Sequence, residues 1–273
     1  SCLSMLKQDM LGLNTLTIVA EAMDLNKNIT LPSTYDDERV YETINKSQLG
    51  LFQFEGAGVA ETCRQIQPRN FEELTDVTAL ARPGAQDSGD TKHYINRKFG
   101  LESVEYDHPL LEPILEKTYG AIVYQEQAMR IVTDFAGMSA ADADTIRKGI
   151  GKKIQAIFDE YYPKFIQACL DRGISQDIAE TVFKKMEASA SYSFNKAHAV
   201  SYTALTYITG YLKTYYPIEF YIALLNNTDN EDKRMQIYNE MKNSGYLIHN
   251  PDINISKDTI VSTNDNNVYL SFN

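Results

Sequence analysis

Two stretches of this sequence concentrate side chains that can bind phosphate groups. The first runs from Ala140 to Gln155, where acidic residues are followed by four cations within seven positions: Arg147, Lys148, Lys152 and Lys153. Arginine and lysine bind phosphate oxygens through charge-assisted hydrogen bonds, which are stronger than those between neutral groups. Gly149 and Gly151 would let a ligand approach the backbone closely. The alternative is a helix with a frayed glycine end.

The second stretch runs from Ala188 to Tyr207 and places Asn195, Lys196 and His198 beside small and aromatic residues. The two stretches bracket a helical region of a chain whose formal net charge is −11. Compact basic sites in an acidic chain predict a local anion-binding surface. We therefore expect the two stretches to form a polyphosphate-binding surface, which the rest of the chain positions.

Two further residues have one chemical and one structural interpretation each. Arg82 lies at the bend that Pro83 and Gly84 predict, where a turn can aim a guanidinium; the alternative is a cation at a helix C-terminus. Asp9 lies among apolar residues. It is either a helix N-cap or turn residue, or a metal-ligating carboxylate at the edge of a sheet.

Composition limits the class of protein. The chain has 273 residues, of which 43% are hydrophobic and 23% charged, as is typical of globular proteins. No apolar run approaches the roughly 20 residues of a membrane span. Three cysteines, few and far apart, argue against a disulfide framework or a zinc cluster and indicate a reducing compartment, so we expect a cytoplasmic protein without a membrane partner. The negative charge means that any nucleic-acid role depends on local patches.

The spacing of apolar residues predicts a mainly helical chain with short strands near the C-terminus. Ser139 is expected to cap a helix that carries Asp142 and Asp144 in its early turns and Arg147 and Lys148 after them. The two aspartates are both possible intrahelical partners of Arg147.

Other local signals are weaker. Ser33 or Thr34 is expected to cap an early helix, because an acidic run follows that favours a helix start. Pro217 is expected to break or kink a long apolar segment. The polar cluster at residues 124–127 is expected to be a solvated face.

Seven segments, in this order, carry a close resemblance to a known family. They are KQDMLGLNTL, GLFQFEGAG, ALARPG, HPLLEPILEKTYGAIVYQEQAM, ADADTIRKGIGKK, FNKAHAVSYTALTYITGYLKTYYPIEF and NPDINIS. The chain resembles the C-family bacterial replicative DNA polymerases, the alpha subunits of DNA polymerase III, over nearly its whole length. The combinations TYG-x-x-x-YQEQ and FNK-x-H-x-x-x-Y are specific, whereas any single helix is not.

The resemblance implies the division of the chain. Residues 1–25 would be the end of the palm, residues 26–225 a multi-helix fingers domain, and residues 226–273 the start of the region that follows. Two Mg²⁺ ions about 4 Å apart would activate the primer 3′ oxygen and stabilise the leaving pyrophosphate. Asp9 matches the third of the three palm aspartates that hold these ions.

The resemblance also implies contacts with the incoming nucleotide. Lys7 matches a palm lysine near that nucleotide, and Arg147 and Lys148 match a fingers pair that contacts the triphosphate. The further candidates are Arg82, Lys152, Lys153, Asn195, Lys196 and His198. Primer-template DNA, a deoxynucleoside triphosphate, a sliding clamp and other replisome subunits are the implied partners.

Three departures from the family pattern suggest a divergent, phage-encoded relative. RPG is followed by Ala-Gln instead of Pro and Met, Gly56 stands where the family has Ser, and the fingers pair is Arg-Lys instead of two arginines. The other two metal-binding aspartates would lie before Ser1. We therefore expect a piece of a longer polymerase that is active only with its N-terminal part, covalently joined or as a split partner.

The function expected from the resemblance is template-directed addition of deoxynucleotides to a primer 3′ end. Two alternatives stay open at this point. One is a helical interaction module of a replisome without catalytic activity, and the other is a helical globular protein without either role. Paired aspartates in an upstream neighbour would separate the first function from both alternatives.

Overall fold

The computed structural model describes residues 13–152, 154–190, 192–263 and 266–272. Helices dominate this part of the chain, as the apolar spacing predicts. The α-helices are α1 (Asn14–Leu25), α2 (Glu38–Lys46), α3 (Ala57–Ile66), α4 (Phe71–Leu80), α5 (Pro83–Asp87), α6 (Asp90–Lys98), α7 (Glu112–Leu115), α8 (Gln125–Arg130), α9 (Ala140–Lys152), α10 (Gln155–Asp171), α11 (Gln176–Ser189), α12 (Lys196–Tyr215), α13 (Pro217–Asn226) and α14 (Glu231–Asn243). A π-helical turn at Ile131–Phe135 follows α8, and 3₁₀ turns flank α7 at Pro109–Leu111 and Glu116–Thr118.

The chain divides into two compact units, and the first consists of the described residues within Ser1–Ser33, Leu49–Phe52 and Tyr207–Asn273. Its core is built around α13, in which six consecutive residues from Phe220 to Leu225 are buried. Pro217 is the first residue of α13, where a missing N–H leaves no intrahelical bond unmade. The predicted break at this proline is confirmed.

The strands lie near the C-terminus of the first unit, as expected. They are β1 (Leu247–His249), β2 (Val261–Thr263) and β3 (Asn267–Tyr269), in the order β1-β3-β2. β3 runs parallel to β1 and antiparallel to β2, with Val268 opposite Ile248 and Ser262. Val268 is fully buried and joins the small sheet to the helical core.

The second unit comprises Thr34–Gln48 and the described residues within Gln53–Thr206, and it contains every described candidate residue. A hydrophobic core cluster of this unit joins the segments around α7 to α8, α9, α10 and α11. Phe165 and Phe183 pack edge-on at its centre, with ring centres 5.2 Å apart. Full burial of such a side chain stabilises the fold by about 1.5–3 kcal/mol.

Helix α9 shows how the sequence orients its cations. Ser139 Oγ accepts a hydrogen bond from the Asp142 N–H at 3.2 Å, so the predicted cap is confirmed. Ala143, Ile146 and Ile150 are buried and form a stripe at helical spacing against the core. Because these positions face inward, Lys148 and Lys152 lie on the exposed face, and the part-buried Arg147 lies at the edge of the stripe.

Helix α2 begins later than predicted. Asp37 is its N-cap and accepts a hydrogen bond from the Arg39 N–H at 2.9 Å. The expected cap at Ser33 or Thr34 was therefore wrong. Thr34 lies a full turn before the first helical residue and instead donates to Asp36 at 2.6 Å. Within the described part of the chain, none of the helices is long and apolar enough to cross a membrane.

Candidate functional site

The start of α8 is paired with the segment before α12 (residues 192–195). The Phe194 N–H donates to the Val123 carbonyl at 3.0 Å, and the Gln125 N–H donates to the Phe194 carbonyl at 3.0 Å. These bonds form a parallel bridge between Tyr124 and Phe194. Two sequence motifs about seventy residues apart are thereby held side by side.

Glu126 completes this junction. Its carboxylate accepts hydrogen bonds from the Asn195 side-chain amide at 3.1 Å and from the Lys196 N–H at 2.9 Å. Asn195 Oδ1 accepts from the His198 N–H at 2.8 Å, which satisfies one of the free donors at the start of α12. Asn195 therefore orders the helix start that carries Lys196.

The cluster at residues 124–127 is not a solvated face, so that prediction was wrong. Tyr124 is fully buried and Gln127 is only 8% exposed. Gln127 Oε1 accepts from the N–H groups of Val123 and Tyr124, both at 2.9 Å, and its amide donates to Thr118 Oγ1 at 2.7 Å. A buried amide needs such partners, and here they fix the turn that leads into α8.

Two candidate residues, Arg82 and Lys196, contact the aromatic rings of this junction. Arg82 donates from Nη1 to the Tyr192 carbonyl at 3.2 Å, and its guanidinium carbon lies 4.9 Å from the centre of the Phe194 ring. Lys196 Nζ lies 5.3 Å from the centre of the Tyr124 ring. Arg82 thus contacts a residue 110 positions away. This contact favours the interpretation in which the bend aims the guanidinium, and disfavours the one in which Arg82 is only a cation at a helix end.

His198 is exposed and lies among aromatic rings. Its ring centre is 5.6 Å from that of Phe194 and 4.1 Å from that of Tyr202. These contacts hold the imidazole on the first turn of α12, next to the segment that Arg82 reaches.

On α9, a single carboxylate serves two cations. Asp144 Oδ1 accepts from Arg147 Nη2 at 2.8 Å and from Nε at 3.0 Å, and Asp144 Oδ2 lies 2.8 Å from Lys148 Nζ. Hydrogen bonds from Lys148 and then Arg147 lower the pKa of the Asp144 carboxyl, so it is ionised near neutral pH. Asp142, the other expected partner, instead accepts from Ser139 Oγ at 2.6 Å.

The glycines of α9 are helical. The helix continues to Lys152 through both of them, so the frayed end is not observed. A Cβ on Gly149 would lie 3.0 Å from Ile157 Cγ2, which gives this glycine a packing role against α10. A Cβ on Gly151 would lie 3.7 Å from Gln125 Nε2, which places the end of α9 beside the start of α8. The two basic stretches thus converge on the start of α8.

The charges at this convergence are incompletely balanced. Arg147 and Lys148 share one carboxylate, so this group of three carries a net charge of about +1. Among the described residues, no carboxylate forms an ion pair with Arg82, Lys152 or Lys196. In a chain of net charge −11, these cations form a local positive surface that we call the basic cluster. Its described members are Arg82, Arg147, Lys148, Lys152 and Lys196. Such a cluster attracts anions.

Comparison with known families identifies the family of this chain. The sequence model for the bacterial DNA polymerase III alpha subunit finger domain matches residues 15–173, more than half of the chain. The chain belongs to this family. The matched residues include Arg82 and the whole of α9, whereas the segment before α12 lies beyond them.

Curated relatives extend the similarity along the chain. The DNA polymerase III subunit alpha of Aquifex aeolicus is 40% identical over 263 residues, which cover 93% of this chain and 22% of the relative. That of Chlamydia pneumoniae is 39% identical over 271 residues, covering 96% and 22%. That of Staphylococcus aureus strain Mu50 is 38% identical over 262 residues, covering 93% and 24%. The chain thus spans less than a quarter of the length of each of these relatives.

Three predicted site residues, Lys7, Asp9 and Lys153, lie outside the residues that the structure describes. The nucleotide and metal roles expected for them stay predictions. Across the described ranges, no group of three or more His, Cys, Asp or Glu side chains could hold a metal ion. The described residues therefore do not by themselves form a metal centre.

Sequence analysis missed two groups that position the site. Glu126 binds two residues of the other stretch, and Tyr192 offers its carbonyl to Arg82. An acidic residue in the polar YQEQ segment was the only available signal for Glu126. A backbone carbonyl leaves no signal in the residue types at all.

Proposed function

We propose that this chain is the fingers portion of a template-directed DNA polymerase, in which the basic cluster binds the triphosphate of the incoming deoxynucleotide. Membership of the finger-domain family supports the enzyme class. The observation that carries the site is the imbalance of charge in the basic cluster around the start of α8: Arg147 and Lys148 share the Asp144 carboxylate, and no described carboxylate forms an ion pair with Arg82, Lys152 or Lys196. A nucleoside triphosphate supplies the several negative charges that such a set attracts.

The contacts of α9 suit a ligand that exchanges with a counter-ion. Asp144 holds Arg147 and Lys148 in an exposed position, where an ion pair contributes little to stability. Charge-assisted bonds to phosphate are worth about 1.5–3 kcal/mol each. Triphosphate oxygens would therefore displace Asp144, which holds the two side chains near their bound positions in the meantime.

Further expectations belong to the same proposal. We propose that the palm ends at residue 25 and the fingers at residue 225. We also propose that Asn195 and His198 contact the nucleotide or the template. The proposed partners are primer-template DNA and replisome subunits such as a sliding clamp, and the proposed location is the cytoplasm. The proposed cofactor is a divalent metal, specifically Mg²⁺ with Asp9 as one ligand, and the proposed origin is a phage. The buried free thiols Cys63 and Cys169 agree with a reducing compartment.

A chimaeric polymerase tests the proposal. In it, this chain replaces the matching 262 residues of the Staphylococcus aureus alpha subunit, to which it is 38% identical. We expect the chimaera to extend a primer according to its template, and the isolated chain, purified free of other polymerases, to extend nothing. A chimaera that folds and binds primer-template but incorporates no nucleotide would instead favour a non-catalytic interaction module.

A further inference from the structure

A buried carboxylate lies behind the basic cluster. Asp76, in the middle of α4, is 2% exposed. Its Oδ2 accepts from the Tyr94 hydroxyl at 2.7 Å, and its Oδ1 accepts from the Tyr124 hydroxyl at 2.5 Å. Both tyrosines are fully buried. An ionised carboxylate is costly to bury unless it is paired and hydrogen-bonded, so the partners of Asp76 decide whether it can carry a charge.

Tyr124 connects this carboxylate to the cluster. Its hydroxyl is held by Asp76, and its ring face carries Lys196 Nζ at 5.3 Å from the ring centre. The backbone of the same residue pairs with Phe194. Asp76 thus fixes the hydroxyl end of the Tyr124 ring, and the Lys196 ammonium packs on the face of that ring.

A second buried acid on α4 shows what a purely structural carboxylate looks like. Glu73 accepts at 2.8 Å from each of three donors: Lys98 Nζ, the Tyr119 hydroxyl and the Arg69 N–H. Its charge is therefore neutralised by a direct partner within the core. Asp76 accepts from two neutral donors. Two cations act on it from a distance: Lys98, which is paired with Glu73, and Lys196, across the ring of Tyr124.

We propose that Asp76 is a positioning residue for Lys196: by fixing the hydroxyl and ring plane of Tyr124, it holds the Lys196 ammonium where the triphosphate of the incoming nucleotide binds. The inference rests on the proposed function of the basic cluster. It adds to that function a residue that touches neither the nucleotide nor the solvent.

The titration of Asp76 provides a readout. Burial raises the pKa of this carboxyl to about 7, against the opposing effects of its tyrosine partners and Lys196. The titratable groups that interact with it are Glu72 of its own helix, Tyr94 and Lys98 of α6, Tyr119, Tyr124 and Lys196 of α12. Above about pH 7 the carboxyl is ionised and attracts Lys196 through the ring, and below it this attraction is lost.

The pH dependence follows with a defined sign. Asp76→Asn keeps the shape of the side chain and resembles the protonated carboxyl. We expect the Michaelis constant for nucleotide to rise about threefold to tenfold at pH 8, from the loss of an oriented cation–π contact, and to differ little from wild type at pH 6. The Michaelis constant of the variant is divided by that of the wild type at each pH. The effects of other ionisations on the reaction cancel in this ratio, because the two proteins share them.

The contribution of Asp76 to stability falls with rising pH, whereas its contribution to nucleotide use rises. A measurement of stability against pH therefore checks that Asp76 titrates. The folded chain holds this proton more tightly than the unfolded chain, whose Asp76 pKa is near the model-peptide value of about 3.9. The contribution of Asp76 to the free energy of unfolding therefore falls as pH rises from about 4 to about 7. Asp76→Asn should remove that part of the pH dependence.

A matched pair of Tyr→Phe variants separates positioning from stability. Tyr124→Phe removes the bond to Asp76, whereas Tyr119→Phe removes an equivalent bond, at 2.8 Å, to Glu73 on the same helix. In the chimaera we expect both to lower the melting temperature, and only Tyr124→Phe to raise the Michaelis constant for nucleotide. This pair keeps the proposal testable if Asp76→Asn does not fold.

The decisive comparison uses Lys196. If Asp76 acts through this ammonium, Asp76→Asn should add less than about twofold to the effect of Lys196→Ala, because the two changes remove one interaction. Independent, multiplicative effects would overturn the proposal, and so would equal effects of Tyr124→Phe and Tyr119→Phe on nucleotide use. Failure of the underlying function is distinguishable, because Arg147→Ala would then also leave nucleotide use unchanged.

Discussion

Replacing Arg147 by alanine distinguishes a structural surface residue from a contact with the triphosphate, because the two roles predict different effects. The side chain is 34% exposed, and its contact is the ion pair with Asp144, three positions earlier on α9. An exposed pair of this kind contributes little to stability, so its loss should lower the melting temperature by only about 1–2 °C. A contact with the triphosphate is worth about 1.5–3 kcal/mol, which corresponds to about 10- to 150-fold in kinetics.

The assay is steady-state primer extension by the chimaera, with the affinity for primer-template measured separately. We expect Arg147→Ala to raise the Michaelis constant for nucleotide at least about tenfold, or to lower turnover by a matching factor, while DNA binding changes little. Arg130→Ala is the matched control, because Arg130 forms a comparable exposed pair with Asp134 at 2.9 Å on α8 and the following turn. It lies outside the basic cluster and should change neither parameter.

Two results would refute this reasoning. If Arg147→Ala and Arg130→Ala behave alike, Arg147 is a structural surface residue. If Arg147→Ala weakens DNA binding with a steep dependence on salt and leaves nucleotide use untouched, the cluster contacts the nucleic-acid backbone.

Further predictions concern other parts of the chain. Lys148→Ala should impair nucleotide use in the same assay but less than Arg147→Ala, because an ammonium makes no bidentate fork. Glu126→Gln should weaken the hold on Lys196 and lower both the melting temperature and nucleotide use; wild-type behaviour of both would contradict the site geometry. Burial raises the pKa of the Cys63 and Cys169 thiols to about 12 and about 11, so iodoacetamide at pH 8 should label them only after unfolding, as mass spectrometry would show. Gly50→Ala should destabilise the chain by about 2–4 kcal/mol in a denaturant titration, because φ is +78° and a Cβ would lie 2.6 Å from Leu224 Cδ2.

Features set by neighbouring residues could be predicted from the sequence. The cap at Ser139 and the break at Pro217 depend on spacings of a few residues, and both are observed. The cap of α2 shows the limit of that approach. Several polar residues precede this helix, and only the one whose side chain reaches the N–H two positions on, Asp37, serves as the cap.

Contacts between distant segments could not be predicted in this way. The bond from Glu126 to Lys196 spans 70 positions, and the bridge to Phe194 is made by backbone groups that every residue has. The motifs indicated that both segments belong to one site, but no periodicity shows which atoms meet. Asp76 is hidden for a related reason. Its helix α4 also carries Glu72 and Glu73, so the sequence neither singles out Asp76 nor reveals its buried partners.

The basic cluster is proposed to receive the triphosphate of the incoming nucleotide. Electron cryo-microscopy of the chimaera, stalled on primer-template with a nucleotide whose α,β-bridge resists cleavage, tests it most directly. We predict density for the triphosphate within hydrogen-bond distance of Arg147, with Lys148 and Lys196 alongside and Asp144 displaced. Triphosphate density elsewhere, with the Arg147–Asp144 pair intact, would contradict the account.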